Sequence, residues 1–489
     1  MLNKWKQTIS KFVCFVLTCQ LFILTAWAKP DWPSDTGIMA EAGIVMDMDS
    51  GAILYGQNIH LTYPPASITK ILTALIVLEN CSLDDTVTFS TTAVNQVEAD
   101  SGNKISVVAG DQLSVEDCLY SLLLVSCNQA ANALAEHTAG SISAFVDMMN
   151  EKLVELGCQE SHFENPSGLN NDNQYVSAYD MALIAQAAYD NEPLVEISSA
   201  TTHKIAPTTQ NPDGFTLHGE HRLCVTEDPS SPYYYPEAVA GKTGYLIKAG
   251  NTLVTYAVKD NRRLISVILK GQPRQYFVDG KALLEFGFRS FQDYTVADYE
   301  SRYVTGNETI NLDKGSFQAS DLMIDPDSVI TLPNGASFED ADITLGALPE
   351  ISPDNAVALL TYSYNDRTIG TAYLLAKDGV TIDGNDSAAE AATTAFDTAN
   401  AEAPLATASN AEKPQRPHKH ISVAGVLITI LIVLLVLGVI GLISWFIYSK
   451  KKEAKALAKR RERRRQRLQR SGDEEEFERL LAEYKNKKK

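Results

Sequence analysis

An α+β fold with one antiparallel sheet is predicted for residues 36–290, because strand patterns occur at both ends of this stretch and helical patterns between them. Residues 43–48 and 52–55 are mainly apolar and are joined by a short Asp-Ser-Gly turn, which predicts a β-hairpin. Residues 251–258 and 263–269 predict a second hairpin with a polar turn. We expect these strands to form one sheet that is flanked by the intervening helices.

The chain changes in composition twice after residue 290. Residues 291–383 hold short strand patterns interrupted by Asn, Asp, Gly and Pro, which predicts a small all-β domain. Residues 384–418 are rich in Ala, Thr, Asn and Glu and poor in large apolar side chains, which predicts a flexible linker.

The first 28 residues have the pattern of a secretory signal peptide. Three lysines precede an apolar stretch over residues 12–24, and Ala26 and Ala28 form a small-x-small cleavage site. An uncleaved membrane anchor is the alternative, but the apolar stretch is short for a membrane span. We therefore expect residues 1–28 to be removed on export.

Residues 421–448 form an apolar run without a charged side chain. At about 1.5 Å per residue, a helix of this length more than covers a hydrocarbon core of about 30 Å. The tail, residues 449–489, begins with lysines and arginines, which favours a cytoplasmic position for it. The sequence thus predicts a single transmembrane helix, with the large N-terminal part outside the membrane and the C-terminus in the cytoplasm.

Charge is divided unevenly along the chain, whose net charge is −19. From Lys450 onward there are 17 basic and 8 acidic residues, a net charge of +9. Without this tail and the three signal lysines, the exported part carries −31, which argues against nucleic acid as its partner. The basic stretch of the tail fits contact with anionic lipid headgroups, and a solvated charged helix is the alternative.

The end of the tail has apolar residues at helical spacing: Phe477, Leu480, Leu481 and Tyr484. This pattern indicates either a face for a cytoplasmic partner or a short solvated helix.

Five cysteines remain after the signal peptide: Cys81, Cys118, Cys127, Cys158 and Cys224. An odd number leaves at least one thiol unpaired within the chain. No pair of Cys or His residues has the spacing typical of metal ligands, so we expect no metal and no cofactor.

Three short strings carry the chemistry of the chain: Ser67-Ile68-Thr69-Lys70, Ser126-Cys127-Asn128 and Lys242-Thr243-Gly244. Each alone has an ordinary explanation, because Ser and Asn cap helices and Lys-Thr-Gly suits an exposed turn. A chain of this length holds about one or two Ser-x-x-Lys matches by chance. All three strings in this order are much harder to explain by chance.

Ser67 and Lys70 together predict a nucleophile and its general base. Ser67 opens an apolar helical run over residues 68–78, and Lys70 follows three residues later, so both side chains share one helix face. A lysine amine accepts a proton only when neutral, which requires burial and nearby positive charge to lower its pKa. Lys242 could supply that charge, and the backbone N–H of Ser67 is well placed to donate to an oxyanion.

The other two strings supply groups that relay protons or position a ligand. The Ser126 hydroxyl suits a proton relay, and the Asn128 amide can orient Lys70 and a substrate. Lys242 and Thr243 can bind a carboxylate, and Gly244 lets the backbone approach a ligand closely. Cys127 is either a reactive thiol or a small residue that fills space, and we favour the second interpretation.

These strings resemble the signature of penicillin-binding proteins and serine β-lactamases. Further strings, at residues 65–70, 162–169, 179–185 and 283–288, narrow the resemblance to the D-alanyl-D-alanine carboxypeptidases, low-molecular-mass penicillin-binding proteins of serine peptidase family S11. The likeness covers about residues 36–290. It implies a penicillin-binding/β-lactamase-like domain at the outer face of a bacterial cell membrane.

The resemblance implies an enzyme that acts on peptidoglycan stem peptides ending in D-Ala-D-Ala and is acylated by β-lactam antibiotics. Ser67 would form an acyl-enzyme with loss of the last D-alanine, and Lys70 would act as general base. Ser126 and Asn128 would relay protons and position groups. Water would then release the shortened peptide.

The resemblance also implies substrate-binding residues. Lys242 and Thr243 would hold the substrate carboxylate beside Gly244, and the oxyanion would rest between the N–H groups of Tyr245 and the nucleophilic serine. Arg274 would be a further carboxylate ligand.

Three places in the domain depart from the family pattern. Gly241 stands where an aliphatic residue is usual, Leu246 stands where Thr is frequent, and residues 218–223 lack the usual asparagines. These departures bear on substrate range and rate more than on the reaction class.

Three rival functions share features with this sequence. A class A β-lactamase needs a Glu with an Asn four residues later, whereas Glu160 is followed at that spacing by Glu164, and Glu164 by Gly168. A DD-endopeptidase that cuts cross-linked peptides would use the same residues as a carboxypeptidase. A non-catalytic scaffold that binds the cell wall is the rival from another class, and the intact Ser67 and Lys70 argue against it.

Overall fold

The computed structural model describes residues 29–97, 105–349 and 351–382, and the structural statements below concern these residues. The predicted signal peptide, linker, membrane helix and tail all lie outside them. Within the described ranges, no helix combines the length and apolar character needed to cross a membrane.

The described residues form short helices and strands in irregular alternation. The helices are α1 (Lys70–Asn80), α2 (Thr91–Asn95), α3 (Val115–Leu124), α4 (Asn128–Ala139), α5 (Ile142–Glu155), α6 (Ala178–Tyr189), α7 (Glu192–Ser199), α8 (Arg222–Val225), α9 (Gln275–Ser290) and α10 (Val296–Tyr299). The 3-10 turns are Ala66–Thr69, Ala319–Asp321 and Phe338–Asp340. The strands up to the end of α9 are β1 (Ala42–Asp47), β2 (Ile53–Gln57), β3 (Thr62–Tyr63), β4 (Thr86–Thr88), β5 (Gln112–Ser114), β6 (Val176–Ser177), β7 (Thr202–Ile205), β8 (Phe215–His218), β9 (Ala238–Leu246), β10 (Gly250–Lys259) and β11 (Arg262–Gly271). Those after it are β12 (Phe291–Thr295), β13 (Thr309–Leu312), β14 (Gly315–Gln318), β15 (Leu322–Ile324), β16 (Val329–Pro333), β17 (Asp342–Gly346), β18 (Ala356–Tyr364) and β19 (Arg367–Ala376).

A five-stranded antiparallel sheet in the order β2-β1-β11-β10-β9 is the centre of the fold. Both predicted hairpins are present, as β1–β2 and β10–β11. Asp260 and Asn261 between β10 and β11 have φ angles of 50° and 65°, a turn conformation that Asp and Asn tolerate and that matches strand twist. β9, which the sequence did not predict as a strand of this sheet, forms its edge beside β10.

Apolar side chains on the two faces of the sheet enter different clusters. On β11, Ile265, Val267 and Leu269 pack with α1, α4 and α6. Leu264 and Ile268 instead pack with α9 on the opposite face. This alternation is the pattern of a strand that is buried on both faces. The predicted α+β arrangement, an antiparallel sheet flanked by helices, is therefore confirmed.

Residues 291–382 contain β12–β19 and a hydrophobic cluster of their own. A four-stranded antiparallel sheet has the order β15-β19-β18-β17, and β12 pairs with β16. Leu360, Tyr362 and Leu374 are fully buried in this cluster. The segment also includes α10 and two 3-10 turns, so it is strand-rich but not made of strands alone. The domain boundary at residue 291 stays a prediction.

Candidate active site

Ser67 lies in the 3-10 turn Ala66–Thr69, which runs directly into α1 at Lys70. Ala66 has a φ of 53°, which is uncommon for a residue with a Cβ and costs on the order of 1–3 kcal/mol. Such backbone strain is concentrated at functional sites. Ser67 does not cap the turn, because the capping position is occupied by Pro65.

The serine turn is held against the edge of the sheet. The Thr252 hydroxyl on β10 donates to the Pro65 carbonyl at 2.9 Å. A Cβ on Gly244 of β9 would lie 2.8 Å from the Ser67 backbone nitrogen and 2.4 Å from Thr252 Oγ1. Only glycine therefore fits at position 244, and the edge strand passes directly beside the serine backbone.

The Lys70 side chain is fully buried, and its Nζ has three oxygen atoms as neighbours. Its Nζ lies 3.1 Å from Ser67 Oγ, 2.7 Å from Asn128 Oδ1 and 2.5 Å from the Ser167 carbonyl oxygen. Burial, and secondly the charge of Lys242, hold the pKa of Lys70 well below its ordinary value. The neutral amine is thereby favoured.

A neutral Lys70 amine has two N–H donors and one lone pair. The Asn128 and Ser167 oxygens only accept, so they take the two donated hydrogen bonds. The lone pair is left for the remaining neighbour, Ser67 Oγ. This arrangement can remove the serine proton.

Ser126, Cys127 and Asn128 form the entry into α4. Ser126 has a φ of 61°, and its buried Oγ has no hydrogen-bond partner among the described residues. A buried hydroxyl without a hydrogen bond is energetically unfavourable unless a ligand or a water molecule bonds to it. The Cys127 sulfur caps α4 by accepting from the Ala130 N–H at 3.4 Å, and burial raises the pKa of its thiol. Cys127 is thus a buried capping residue, which agrees with the space-filling interpretation.

Lys242, Thr243, Gly244 and Tyr245 lie in succession on β9. Lys242 is buried, and its Nζ donates to the Thr243 carbonyl at 3.1 Å. Burial lowers the pKa of Lys242 to about 8. Tyr245, by contrast, is 63% exposed. A positive, partly desolvated group thus stands beside the serine turn, where an anionic ligand would be attracted.

Arg274 has a side chain that, like the Ser126 hydroxyl, makes no hydrogen bond or ion pair with another predicted site residue within the described ranges. It is exposed and occupies the capping position before α9 with a φ of 63°. Arg274 comes shortly after Gly271, the last residue of β11. Gly271 pairs with Asn251 of β10, and Asn251 pairs with Tyr245 of β9, so Arg274 lies at the same end of the sheet as Tyr245.

A loop to which sequence reasoning gave no role supplies a further hydrogen-bond acceptor for Lys70. The Asn165 side-chain oxygen accepts from the N–H groups of Ser167 at 3.2 Å and Gly168 at 2.8 Å. Gly168 has a φ of 81°, and a Cβ there would lie 1.9 Å from the Ala66 carbonyl oxygen. The Ser167 carbonyl is thereby aimed at Lys70. These residues belong to the string at residues 162–169, on which the family resemblance partly rests. That resemblance was the signal in the sequence that could have identified them.

Two of the departures from the family pattern, Gly241 and residues 218–223, meet in the structure. His221 packs behind β9, where a Cβ on Gly241 would lie 2.6 Å from its Nε2. That nitrogen lies 3.1 Å from the Val254 carbonyl oxygen, and Nδ1 lies 3.3 Å from the sulfur of Cys224. Burial lowers the pKa of His221 to about 4 and raises the pKa of Cys224 to about 12. A neutral imidazole therefore fills the space that an aliphatic side chain at position 241 would need.

The assembled groups suit acyl transfer by a serine ester. A hydroxyl lies beside a buried amine, the backbone nitrogen of the same serine lies close to the edge strand, and a positive group stands on that strand. The five thiols in the described residues are all unpaired.

Comparisons with known proteins point to the same chemistry. The family model described as D-alanyl-D-alanine carboxypeptidase matches residues 29–272. D-alanyl-D-alanine carboxypeptidase DacF of Bacillus subtilis is 30% identical over 281 residues, which cover 56% of this chain and 69% of that protein. DacB2 of Mycobacterium tuberculosis, of the same activity by name, is 34% identical over 265 residues, or 53% of this chain and 84% of that protein.

A solved structure extends the likeness. Penicillin binding protein 5 from Haemophilus influenzae matches with a TM-score of 0.53 and 25% identity. The match covers 71% of this chain and 98% of that one. It therefore includes more of this chain than the family model, which matches residues 29–272. The penicillin-binding type of α+β fold is therefore confirmed.

Proposed function

Since this chain belongs to the D-alanyl-D-alanine carboxypeptidase family of serine peptidases, we propose that it removes the terminal D-alanine of peptidoglycan stem peptides through an ester on Ser67. The observation that carries this assignment is the contact of the buried Lys70 amine with Ser67 Oγ at 3.1 Å. β-lactam antibiotics acylate the same enzyme family, and binding of both ligand classes follows from membership.

Acylation begins with the proton of Ser67. The neutral Lys70 amine takes that proton while Oγ forms a bond to the carbonyl carbon of the penultimate D-alanine. The carbon–nitrogen bond to the last D-alanine then breaks. Its nitrogen needs a proton, which passes from Lys70 through the Ser126 hydroxyl. Ser126 Oγ has no protein partner among the described residues, so this hydroxyl is available to the leaving nitrogen.

The oxyanion of the tetrahedral intermediate is held by backbone N–H groups of Ser67 and Tyr245. The close approach of β9 to the Ser67 nitrogen, which position 244 permits only as glycine, supports this pairing. Fixed donors of this kind typically contribute about 100- to 1,000-fold in rate each.

The substrate lies along β9 as an added strand. β9 is the edge of the five-stranded sheet. At Gly241 its backbone N–H and C=O are bonded to Ser198 Oγ at 3.3 Å, so an extended peptide would pair with the residues of β9 that follow. Lys242 and Thr243 attract the terminal carboxylate, and Arg274 at the same end of the sheet reinforces them. Water then attacks the ester with Lys70 again as base, and the shortened peptide leaves.

The remainder of the chain is organised around delivery of this domain to the cell wall. Residues 1–28 direct export, residues 291–383 form a small β-rich domain, and residues 384–418 link it to a membrane helix at residues 421–448. The tail, residues 449–489, remains in the cytoplasm. Composition and hydropathy support this topology, and protease protection of the tail in intact cells tests it.

D-alanine release tests the function. The full-length protein and its Ser67→Ala variant are incubated with a pentapeptide ending in D-Ala-D-Ala and, separately, with a cross-linked dimer of stem peptides. Release of D-alanine from the pentapeptide by the wild type alone is the expected result. Cleavage of the dimer without release from the pentapeptide would replace this proposal by an endopeptidase. A folded wild type that cleaves neither would leave the scaffold function.

A further inference from the structure

Three side chains of metal-ligand type meet far from the serine. Cys81 Sγ, a carboxylate oxygen of Asp85 and an imidazole nitrogen of His137 all lie within 4.8 Å of one another. His137 Nε2 is 3.8 Å from Asp85 Oδ2. None of the three takes part in the mechanism above. Sequence spacing did not reveal them as a group, because His137 comes from a different helix.

The fold fixes the position of these groups. Cys81 directly follows the last residue of α1, and its N–H donates to the Val77 carbonyl at 2.9 Å. The Asp85 carboxylate accepts from the Ser82 N–H at 3.0 Å, which orients it. His137 lies in the last turn of α4. Cys81 and His137 are therefore placed by the ends of two helices, and Asp85 lies in the turn directly before β4.

The donor set selects a particular class of ion. A thiolate and an imidazole favour zinc and similar borderline metals, whereas magnesium and calcium prefer oxygen ligands alone. With Zn–S near 2.3 Å and Zn–N and Zn–O near 2.0–2.2 Å, the ligand atoms of a tetrahedral site stand about 3.3–3.7 Å apart. The Asp85–His137 distance of 3.8 Å is already close to this value. Both side chains are partly exposed, 45% and 26%, so small rotations complete the approach.

We propose that Cys81, Asp85 and His137 bind one zinc-class divalent cation, with water as the fourth ligand. Binding forms a metal–sulfur bond while the Cys81 thiol proton passes to solvent, and the neutral imidazole and the carboxylate supply lone pairs. The Thr138 hydroxyl lies 3.3 Å from Cys81 Sγ. It can hydrogen-bond to the sulfur and so help to orient this ligand.

The location suggests what the ion does. α1 and α4 are joined at their first residues by the Lys70–Asn128 hydrogen bond of 2.7 Å. Cys81 and His137 lie at the other ends of the same helices, about 16–18 Å away for helices of 11 and 12 residues. A cation there clamps the far ends of the two helices whose near ends hold the catalytic lysine in place.

Metal titration of the full-length protein tests the site. The protein is purified with a chelator and a reductant, both are removed, and Zn²⁺ is titrated in competition with a chromophoric chelator. Co²⁺ is added in parallel, since a thiolate ligand gives a charge-transfer band in the near ultraviolet. The variants are Cys81→Ser and His137→Gln. Matched controls are Cys158→Ser, which removes another half-buried thiol, and His162→Gln, which removes a histidine paired with Glu164 at 3.0 Å.

We expect Cys81→Ser and His137→Gln each to weaken Zn²⁺ binding at least about tenfold, while both controls stay within about twofold of the wild type. The Co²⁺ thiolate band should vanish in Cys81→Ser and persist in Cys158→Ser. Zn²⁺ should also raise the Tm of the wild type but not that of the two site variants. Equal Zn²⁺ affinity of wild type and Cys81→Ser, or a Co²⁺ band that survives this change, would overturn the proposal. If Cys81→Ser does not fold, His137→Gln and its control decide the question by the same criteria.

Discussion

At the scale of single residues, the activity depends on the protonation state of one amine. Lys70 is surrounded by acceptors, and as an ammonium ion it could not take the proton of Ser67. Burial lowers its pKa most, and the positive charge of Lys242 lowers it further. Lys242 thus favours the neutral base, in addition to the role in binding the substrate carboxylate that we propose for it.

Removal of the Lys242 charge should move the pH profile in a defined direction. In Lys242→Gln the Lys70 ammonium loses a repelling neighbour, so the pKa of Lys70 rises and the acidic limb of the acylation rate moves to higher pH, by about one unit. The measurement is the rate of β-lactam acylation against pH. The overall rate also falls, but the position of the limb is independent of that loss.

Lys248→Gln is the matched control for this change. Lys248 is an exposed lysine paired with Asp172 at 2.5 Å, and its loss should leave the limb in place. An acidic limb that stays fixed or moves to lower pH in Lys242→Gln would contradict the assigned electrostatics.

His221 should make the protein acid-sensitive. Its folded-state pKa of about 4 lies below the ordinary value of 6.5, so the unfolded chain binds the proton more readily between these values. Stability is therefore complete above about pH 6.5 and is lost as the pH falls toward 4. The loss is on the order of 2–3 kcal/mol.

Thermal unfolding at several pH values checks this expectation. The fall in Tm from pH 7 to pH 4.5 should be smaller in His221→Asn than in the wild type. His60→Asn, which changes a histidine with a 60% exposed side chain, should fall as the wild type does. Parallel curves for wild type and His221→Asn would show that the buried imidazole carries no such penalty.

Residue identities predicted much of the site but not its backbone parts. Ser67, Lys70 and Asn128 were predicted as one group, and the structure brings them within hydrogen-bond distance. The Ser167 carbonyl could not be predicted as a neighbour of Lys70. Every residue has a carbonyl, and only the fold determines which of them points at Lys70. The fit of His221 into the space above Gly241 likewise depends on packing that no local pattern encodes.

At the scale of secondary-structure elements, the hairpins were predictable and the edge strand was not. The β10–β11 turn has two polar residues that tolerate positive φ, which is a local signal. β9 contains two glycines, Gly244 in the catalytic string and Gly241 just before it, and both weaken its strand pattern. It is a strand because β10 offers it a partner. At position 244 only glycine fits beside the serine backbone, so the site and the local strand signal are in conflict there.

Arg262 connects three of these elements, and its loss should be costly. It donates to Asp47 on β1 at 3.0 Å and to Asp293 on β12 at 2.8 Å. Asp47 is fully buried, and burial and the neighbouring Asp293 raise its pKa to about 7. Arg262→Ala would leave two adjacent carboxylates without their shared cation, at a cost of about 3–5 kcal/mol.

The neighbouring arginine provides the control for this prediction. Arg263 pairs with Asp49 and Asp190 at the surface, so Arg263→Ala should cost about 1 kcal/mol or less. Chemical denaturation of both variants makes the comparison. Equal losses for the two would refute a central role of the buried network.

At the scale of the whole molecule, the sequence predicted the family, the reaction and the α+β fold, which are confirmed. The sequence predicted that strands from both ends of the domain share one sheet, and the structure shows this, with β1 paired to β11. The strand-rich character of the part after residue 290 was predicted from composition. Its helix and its 3-10 turns were not predicted, because each is too short to show a periodic sequence pattern. The predicted membrane helix, residues 421–448, lies outside the described residues and stays a prediction.

The acyl-enzyme on Ser67 is the central claim, and mass spectrometry of the β-lactam-treated protein tests it most directly. The full-length wild type and Ser67→Ala are incubated with benzylpenicillin, and the intact mass and the modified peptide are determined. We expect one adduct per wild-type chain, located on Ser67, and none on a Ser67→Ala variant with an unchanged Tm. An adduct at another residue, or acylation of folded Ser67→Ala, would contradict the account.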